Sequence, residues 1–287
     1  MTHTDGVVVS IIVVTYNCRD HVRACLESLR RHRPTAAHEI VLVDNASSDG
    51  TAEMVERDYP ECLLLASARN LGFGAGNNLG ARRARGRWLL LLNPDTEVFE
   101  GTVDRALGFL EENPEFDAMG CRILVPGGGI QKSIYFFPGL RNTLRHRILG
   151  PGPLRREEAY SVEQFDVDYV SGAFLLINRP IFDRFGGFDE DYFVYSEEAD
   201  LAYRMKRADR RIAYSPRAVV LHHGGVSSPS FGHKLQLQLA GRMKFIVKHR
   251  GSCERFSYRL LATLLYVVAA VRDRRMRPEF HSLLRVL

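Results

Sequence analysis

The chain lacks most of the features that would place a sequence quickly. Its five cysteines, Cys18, Cys25, Cys62, Cys121 and Cys253, form no CxxC pair and no metal-ligand spacing. An odd, scattered set excludes a disulfide-stapled secreted scaffold and fits a reducing compartment. No apolar run reaches the roughly 18 residues that a membrane-spanning helix needs. The opening MTHTDGVVVS has no basic segment leading into an apolar one, so no secretory leader is expected and a cytoplasmic location is. There is no internal repeat. Charge is nearly balanced: a net +5 over 287 residues permits an anionic partner without naming one.

What is present is an ordinary enzyme-like composition, 45% hydrophobic and 25% charged, with length for one large or two modest domains. VVVSIIVVTYN (7–17), HEIVLVD (38–44), ECLLLASA (61–68) and RWLLLLN (87–93) read as buried strands. Helical spacing lies between them, with Val22, Cys25, Leu26 and Leu29 on one face. Asp49 is placed to cap a helix beginning near Thr51. Strands alternating with helices predict a parallel α/β sheet. Ligands of such sheets bind at the carboxyl ends of the strands, where Thr15–Asn17, Asp44 and Asp95 lie. Residues 126–165, rich in Gly, Pro and Arg, read as irregular, mobile connections. Strand returns at 166–179, a loop feeds a helix over 186–208, a strand pair over 210–225 ends in two histidines, and a basic helical tail follows from about 233.

Four constellations carry chemistry. In GFGAGNNLG the glycines fall at 72, 74, 76 and 80, which is GxGxG and not the dinucleotide-binding GxGxxG. Either this is a tight turn with close helix packing, or Asn77 and Asn78 stand at a helix N-terminus beside a phosphate. In LLLLNPDTEV a buried run is stopped by Pro94, which has no amide hydrogen for a ladder. It delivers Asp95, flanked by Asn93 and Glu97, to the strand tip. This is either a solvated turn or a carboxylate for a hard divalent cation, with Asn93 assisting. In SEEADLAYR the adjacent acids Glu197 and Glu198 repel each other, which raises at least one pKa, as suits a general base. Asp200 reads as a helix-start acid paired with Arg204. In VVLHHGG, His222 and His223 follow an apolar strand, and one of them fits as a metal ligand.

Taken in order, VSIIVVTYN, VDNASSDGT, RNLGFGAGNN, LLNPDTEV, VSGAFLLINR, GGFDEDYFVYSEEADLAYR and VVLHHGG closely resemble the family 2 glycosyltransferases, especially their rhamnosyltransferase-like branch. The resemblance runs over about residues 7–250. It implies a GT-A fold, a mostly parallel nucleotide-binding sheet flanked by helices. It also implies inverting transfer of a sugar, a rhamnose-like hexose, in cell-surface polysaccharide assembly. The donor would be a dTDP- or UDP-sugar, the acceptor a glycan or lipid-linked hydroxyl, and the cofactor Mg2+ or Mn2+; nucleic acid is not an expected partner. Carried over by position, Thr15, Tyr16 and Asn17 would line the nucleotide; Asn77 is a further candidate from its own place at a helix start. Asp44 would read the base. Asn93 and Asp95 match the ends of the family's DxD motif, and His222 a further metal ligand. Glu198 would be the base, with Glu197 beside it. The chain departs from the pattern at Asn93 and Glu198, where many members have Asp.

The expected organisation is a catalytic unit over 1–230, with a nucleotide half to about 100 and a catalytic half beyond it. A basic helical extension over 231–287 completes it. Within the extension, RLLATLLYVVAAVRDRRMR joins an apolar block to Arg272, Arg274, Arg275 and Arg277. It reads as a helix packed on its own domain, as a homodimer contact, or as a helix lying on an anionic membrane. The rival functions are a nucleotide-sugar pyrophosphorylase, for which no basic N-terminal glycine loop is present, and an inactive carbohydrate-binding protein.

Overall fold

The computed structural model describes residues 6–149, 160–163, 166–224 and 231–272. β1 (Val9–Thr15), β2 (His38–Asp44), β3 (Leu63–Ala66) and β4 (Trp88–Leu92) pair in parallel in the order β3-β2-β1-β4. α1 (Arg19–Arg31), α2 (Thr51–Asp58) and α3 (Phe73–Arg83) connect them. β1 shows why helices must cover both faces. Val9, Ile11 and Val13 enter one core cluster, while Ile12 and Val14 enter the other. A strand buried on both sides has no polar alternation, which is why it reads as a continuous apolar run. Leu89–Leu92 are all buried, each contributing about 1.5–3 kcal/mol.

The sheet then continues in mixed sense. β10 (Phe174–Asn178) inserts antiparallel between β4 and β6 (Ala118–Leu124). β11 (Ile212–His222) runs parallel to β6, and β5 (Thr96–Val98) closes the edge antiparallel to β11. Among the described residues this gives a nine-stranded sheet, β7 (Ile130–Gln131) pairing with β6 off the main path. α4 (Thr102–Glu112) covers the β6–β11 side, and α6 (Arg179–Arg184) follows β10.

Three local expectations are corrected. The strand pair expected over 210–225 is one strand, β11, whose register against β6 shifts between Ser215 and Val219 around Pro216. The stretch 126–165 is not wholly irregular: β7, β8 (Ile134–Tyr135) and α5 (Leu140–Leu149) form in it, and β8 pairs with β9 (Tyr169–Val170). The residue entering α2 is Gly50, at φ +81°, while Asp49 Oδ1 accepts from the Thr51 amide at 3.1 Å. α7 (Glu197–Lys206), α8 (Phe231–His249) and α9 (Ser252–Arg272) complete the chain, α8 packing on α7. Among the described residues no helix is long and apolar enough to cross a membrane.

Candidate active site

A cleft of about 570 Å³ opens along the carboxyl ends of β1 and β4 and runs under α8. Its volume lies within the usual range of small-ligand pockets. Thr15, Tyr16, Asn93, Asp95, Glu197, Glu198 and His222 all line it, so residues spread over more than two hundred positions of sequence meet in one place.

The strand-end proline turn has a clear use. Pro94 ends β4, the chain reverses into β5, and β5 pairs with β11 with Thr96 opposite His222. That register sets His222 Nε2 3.1 Å from Asp95 Oδ1. On the far side of the ring, His222 Nδ1 lies 2.9 Å from Gln131 Oε1. An amide oxygen only accepts, so Nδ1 carries the hydrogen and Nε2 presents its lone pair to the cleft. Asn93 Nδ2, 3.3 Å away, donates to that same nitrogen. A lone pair facing a carboxylate oxygen at this distance requires a cation, either a proton or a metal ion. Burial pushes the Asp95 carboxyl up, but the hydrogen bond and charge of His222, with the charge of His21, outweigh it and hold Asp95 below the usual carboxylate range. Glu97 and His223 pair with each other at 2.6 Å. Neither lines the cleft, so it is His222 that the fold brings to Asp95.

The second acidic centre is delivered by a strained turn. Tyr195 and Ser196 both adopt positive φ, +69° and +75°, immediately before α7. Such conformations cost about 1–3 kcal/mol each and persist only where the surroundings enforce them. α8 supplies the enforcement: a Cβ built on Gly241 would sit 2.2 Å from the Tyr195 carbonyl oxygen. On the other side, a Cβ on Gly72 would sit 2.1 Å from the Phe193 carbonyl oxygen. Asn78 bonds both the amide and the carbonyl of Phe188. The loop is clamped from both ends.

Glu197 is buried and its Oε2 has no hydrogen-bond partner. Desolvation first, and the charge of Glu198 second, push its carboxyl well above the usual range. Glu198 is half-buried; its Oε1 accepts the Gly172 amide at 3.2 Å, and a side chain at Gly172 would collide with that oxygen. Burial raises Glu198 too, against the amide bond that lowers it. Asp200, fully buried, takes hydrogen bonds from Arg204 Nε at 2.8 Å and His249 Nε2 at 2.6 Å, and an ion pair from Lys248 at 2.8 Å. It therefore fastens α7 to α8 and does not face the cleft.

Three expected nucleotide residues lie outside the cleft lining. Asn17 ties the end of β1 to the next loop, its amide donating to Ser47 Oγ and its Oδ1 accepting from the Ser48 amide. Asp44 Oδ2 accepts the Ser47 amide at 3.0 Å, while its buried Oδ1 has no partner. Asn77 is buried inside α3, donating to the Phe73 carbonyl. The glycines beside it serve close packing: a Cβ at Gly76 would meet Val14 at 2.7 Å and one at Gly80 would meet Ile12 at 2.5 Å. Gln131, Gly172, Gly241, Lys234 and Arg242 were not singled out from the sequence. Glycine inside a helix, as at 241, is the one available signal of close backbone approach. Gln131 is hidden in a glycine-rich hairpin.

Comparison with known proteins matches the family model described as "Glycosyl transferase family 2" to residues 10–186, more than half of the chain. The protein belongs to glycosyltransferase family 2. As a member it is a glycosyltransferase, and its relatives place it near the rhamnosyltransferases. It is 33% identical over 236 residues to the N-acetylglucosaminyl-diphospho-decaprenol L-rhamnosyltransferase of Mycobacterium tuberculosis, covering 75% of this chain and 76% of that protein. It is 25% identical to rhamnosyltransferase WbbL of Escherichia coli, covering 84% and 94%. In fold the glycosyltransferase is similar to a mannosyltransferase from Pyrobaculum calidifontis solved with GDP-Man and Mn2+ (TM-score 0.56, 20% identity, 97% of this chain and 69% of that one). It is also similar to GalNAc-T7 solved with UDP, GalNAc and Mn2+ (TM-score 0.64, 16% identity, 85% and 48%). These neighbours establish the GT-A fold.

The donor set fits a divalent cation of one particular kind. Among the described residues no three His, Cys, Asp or Glu side chains gather into a closed metal cage. A hard cation bound through substrate phosphates needs only one or two protein ligands and keeps its other positions for oxygen. Asp95 Oδ1 and His222 Nε2, the latter on giving up its hydrogen bond from Asn93, would supply those two.

Proposed function

We propose that this glycosyltransferase moves a hexose, rhamnose for preference, from a dTDP- or UDP-sugar to a hydroxyl of a lipid-linked acceptor, with inversion, in the assembly of a cell-surface polysaccharide on the cytoplasmic side of the membrane. The observation that carries the reading is the Asp95–His222 contact at the sheet's carboxyl edge, in one cleft with Glu197 and Glu198. The rhamnosyl donor and the lipid-diphosphate acceptor are supported by the names of the relatives.

In this reading Thr15 and Tyr16 hold the nucleoside, Asn17 shapes the loop beside it, Asp44 reads the base, and Asn77 supports that wall from within α3. Asp95 and His222, positioned by Asn93 and Gln131, hold a divalent cation. When bound, that ion offsets the charge building on the diphosphate leaving group. Glu198 is the base, being the more exposed acid and held by the Gly172 amide. It takes the proton of the acceptor hydroxyl as that oxygen bonds to the anomeric carbon. The bond to the diphosphate oxygen breaks on the opposite face, so one displacement inverts the centre. Glu197, kept protonated by burial, donates to a sugar hydroxyl.

Within the extension proposed over 231–287, residues of α8 line the cleft, and among the described residues those of α9 do not. The test is transfer from dTDP-rhamnose and a panel of UDP-sugars to a short-chain N-acetylglucosaminyl-diphospho-prenol with Mn2+, read by mass spectrometry. A product of sugar addition, with the anomeric centre inverted by NMR, is expected. Nucleotide binding without any transfer would favour the inactive carbohydrate-binding reading.

A further inference from the structure

The cleft has a charged wall that the transfer chemistry does not use. α8 buries Leu239, Met243 and Ile246 against the body of the protein. Its other side presents Lys234, Gln238 and Arg242 to the cleft. These residues are four apart, so they stack one turn above another along a single face. Neither cation has a carboxylate partner among the described residues. Lys248, about four turns beyond Lys234 along the helix, is by contrast neutralised by Asp189 and Asp200. Uncompensated cations in a concave cleft focus potential and concentrate anions there.

Their position distinguishes which anion. Gly241, next to Arg242 on α8, abuts the Tyr195 carbonyl oxygen and Ser196 Oγ, the turn that leads directly into Glu197 and Glu198. The basic wall therefore stands on the side of the general base, where the acceptor hydroxyl must lie. The donor diphosphate already has its neutralising set at the Asp95 end. We propose that Lys234 and Arg242 bind a phosphate or diphosphate group carried by the acceptor itself, close to the hydroxyl that is glycosylated. Arg242 offers a planar fork that matches phosphate oxygens in pairs, and Lys234 a compact point charge. Gln238 between them adds an uncharged donor. The inference rests on the glycosyl-transfer reading and assigns the acceptor's phosphate to named residues of α8.

Lys234 is half-buried and Arg242 exposed, so Lys234→Gln and Arg242→Gln, singly and together, are expected to fold. Isothermal titration uses three probes: dTDP and UDP with Mn2+ for the donor end, a short-chain N-acetylglucosaminyl-diphospho-prenol for the acceptor end, and a phosphate-free alkyl N-acetylglucosaminide as its neutral control. The double variant should bind the diphosphate probe roughly tenfold or more weakly, since two charge-assisted contacts are lost. Its nucleotide affinity and its affinity for the neutral glycoside should match the wild type. If the double variant loses nucleotide affinity instead, the cations serve the donor diphosphate and the proposal falls. It falls equally if wild type binds nucleotide but binds the diphosphate probe no better than the neutral one. Wild type that binds neither nucleotide would overturn the glycosyl-transfer reading itself, a separate result.

Discussion

Glu197 and Glu198 are neighbours in sequence but sit in unlike surroundings, and pH separates their roles. Glu198→Gln keeps the shape and cannot accept a proton; it should bind donor normally and lose about a hundredfold or more in turnover. Glu197 bears on stability. Its folded carboxyl titrates above its unfolded value, so its contribution is fully present at acidic pH and is lost as pH rises through the raised folded value. Glu197→Gln should therefore unfold at a higher temperature than wild type at neutral and alkaline pH, the gap closing as pH falls toward the ordinary carboxylate range. A gap that widens on acidification would reverse the assignment. Gln131 acts one bond further from the chemistry. Gln131→Leu removes the acceptor that fixes His222 Nδ1–H and should weaken Mn2+ binding about ten- to a hundredfold by EPR titration, while Gln131→Glu restores it. Unchanged Mn2+ affinity in Gln131→Leu would show that the ring is oriented by other contacts.

Elements bring these residues together, and they differ in how far the sequence announces them. β1, β2 and β4 were legible because a strand buried on both faces is an uninterrupted apolar run. The acids of α7 and the histidines ending β11 were legible as motifs. β5, β7 and β8 were not, because two- and three-residue strands carry no periodicity and exist only through their tertiary pairing. For the same reason Gln131, on β7, could not be found before β7 was seen to reach His222. α8 was legible as a helix but not as a wall of the cleft, since nothing in local patterning says which neighbour a helix faces. Gly241 makes that wall testable. Gly241→Ala adds a methyl against the Tyr195 carbonyl, backbone that cannot swing aside as a flexible side chain does. It should displace the Tyr195–Ser196 turn and lower turnover tenfold or more by rough analogy with misplaced catalytic groups. Thermal melting and donor affinity should change much less; a variant with wild-type turnover would show that the clamp does not position Glu198.

At the scale of the whole molecule, a lipid-linked acceptor requires that the cleft meet a bilayer that the described residues do not span. Phe256, Leu260 and Leu264 lie on one face of α9, four residues apart, with exposures of 70%, 64% and 57%. Arg255 and Arg259 stand on the same helix; Arg274, Arg275 and Arg277 lie outside the described residues. Apolar area and cations together suit reversible binding at an anionic interface, with about 1 kcal/mol from each arginine near the surface. The protein should co-sediment with phosphatidylglycerol-containing liposomes and be released by high salt or by Leu260→Glu with Leu264→Glu. A folded double variant that sediments as well as wild type would leave this face to intramolecular packing or a homodimer.

All of this turns on the edge where β4, β5 and β11 converge. The most direct measurement is calorimetric titration of dTDP and UDP, with and without Mn2+, into wild type, Asp95→Ala, His222→Ala and His223→Ala. Wild type should bind a nucleoside diphosphate only with the metal present. Asp95→Ala should lose that binding while keeping its fold by circular dichroism, and His222→Ala should lose much more affinity than His223→Ala. Metal-independent binding in wild type, or full metal-dependent affinity in folded Asp95→Ala, would contradict the account.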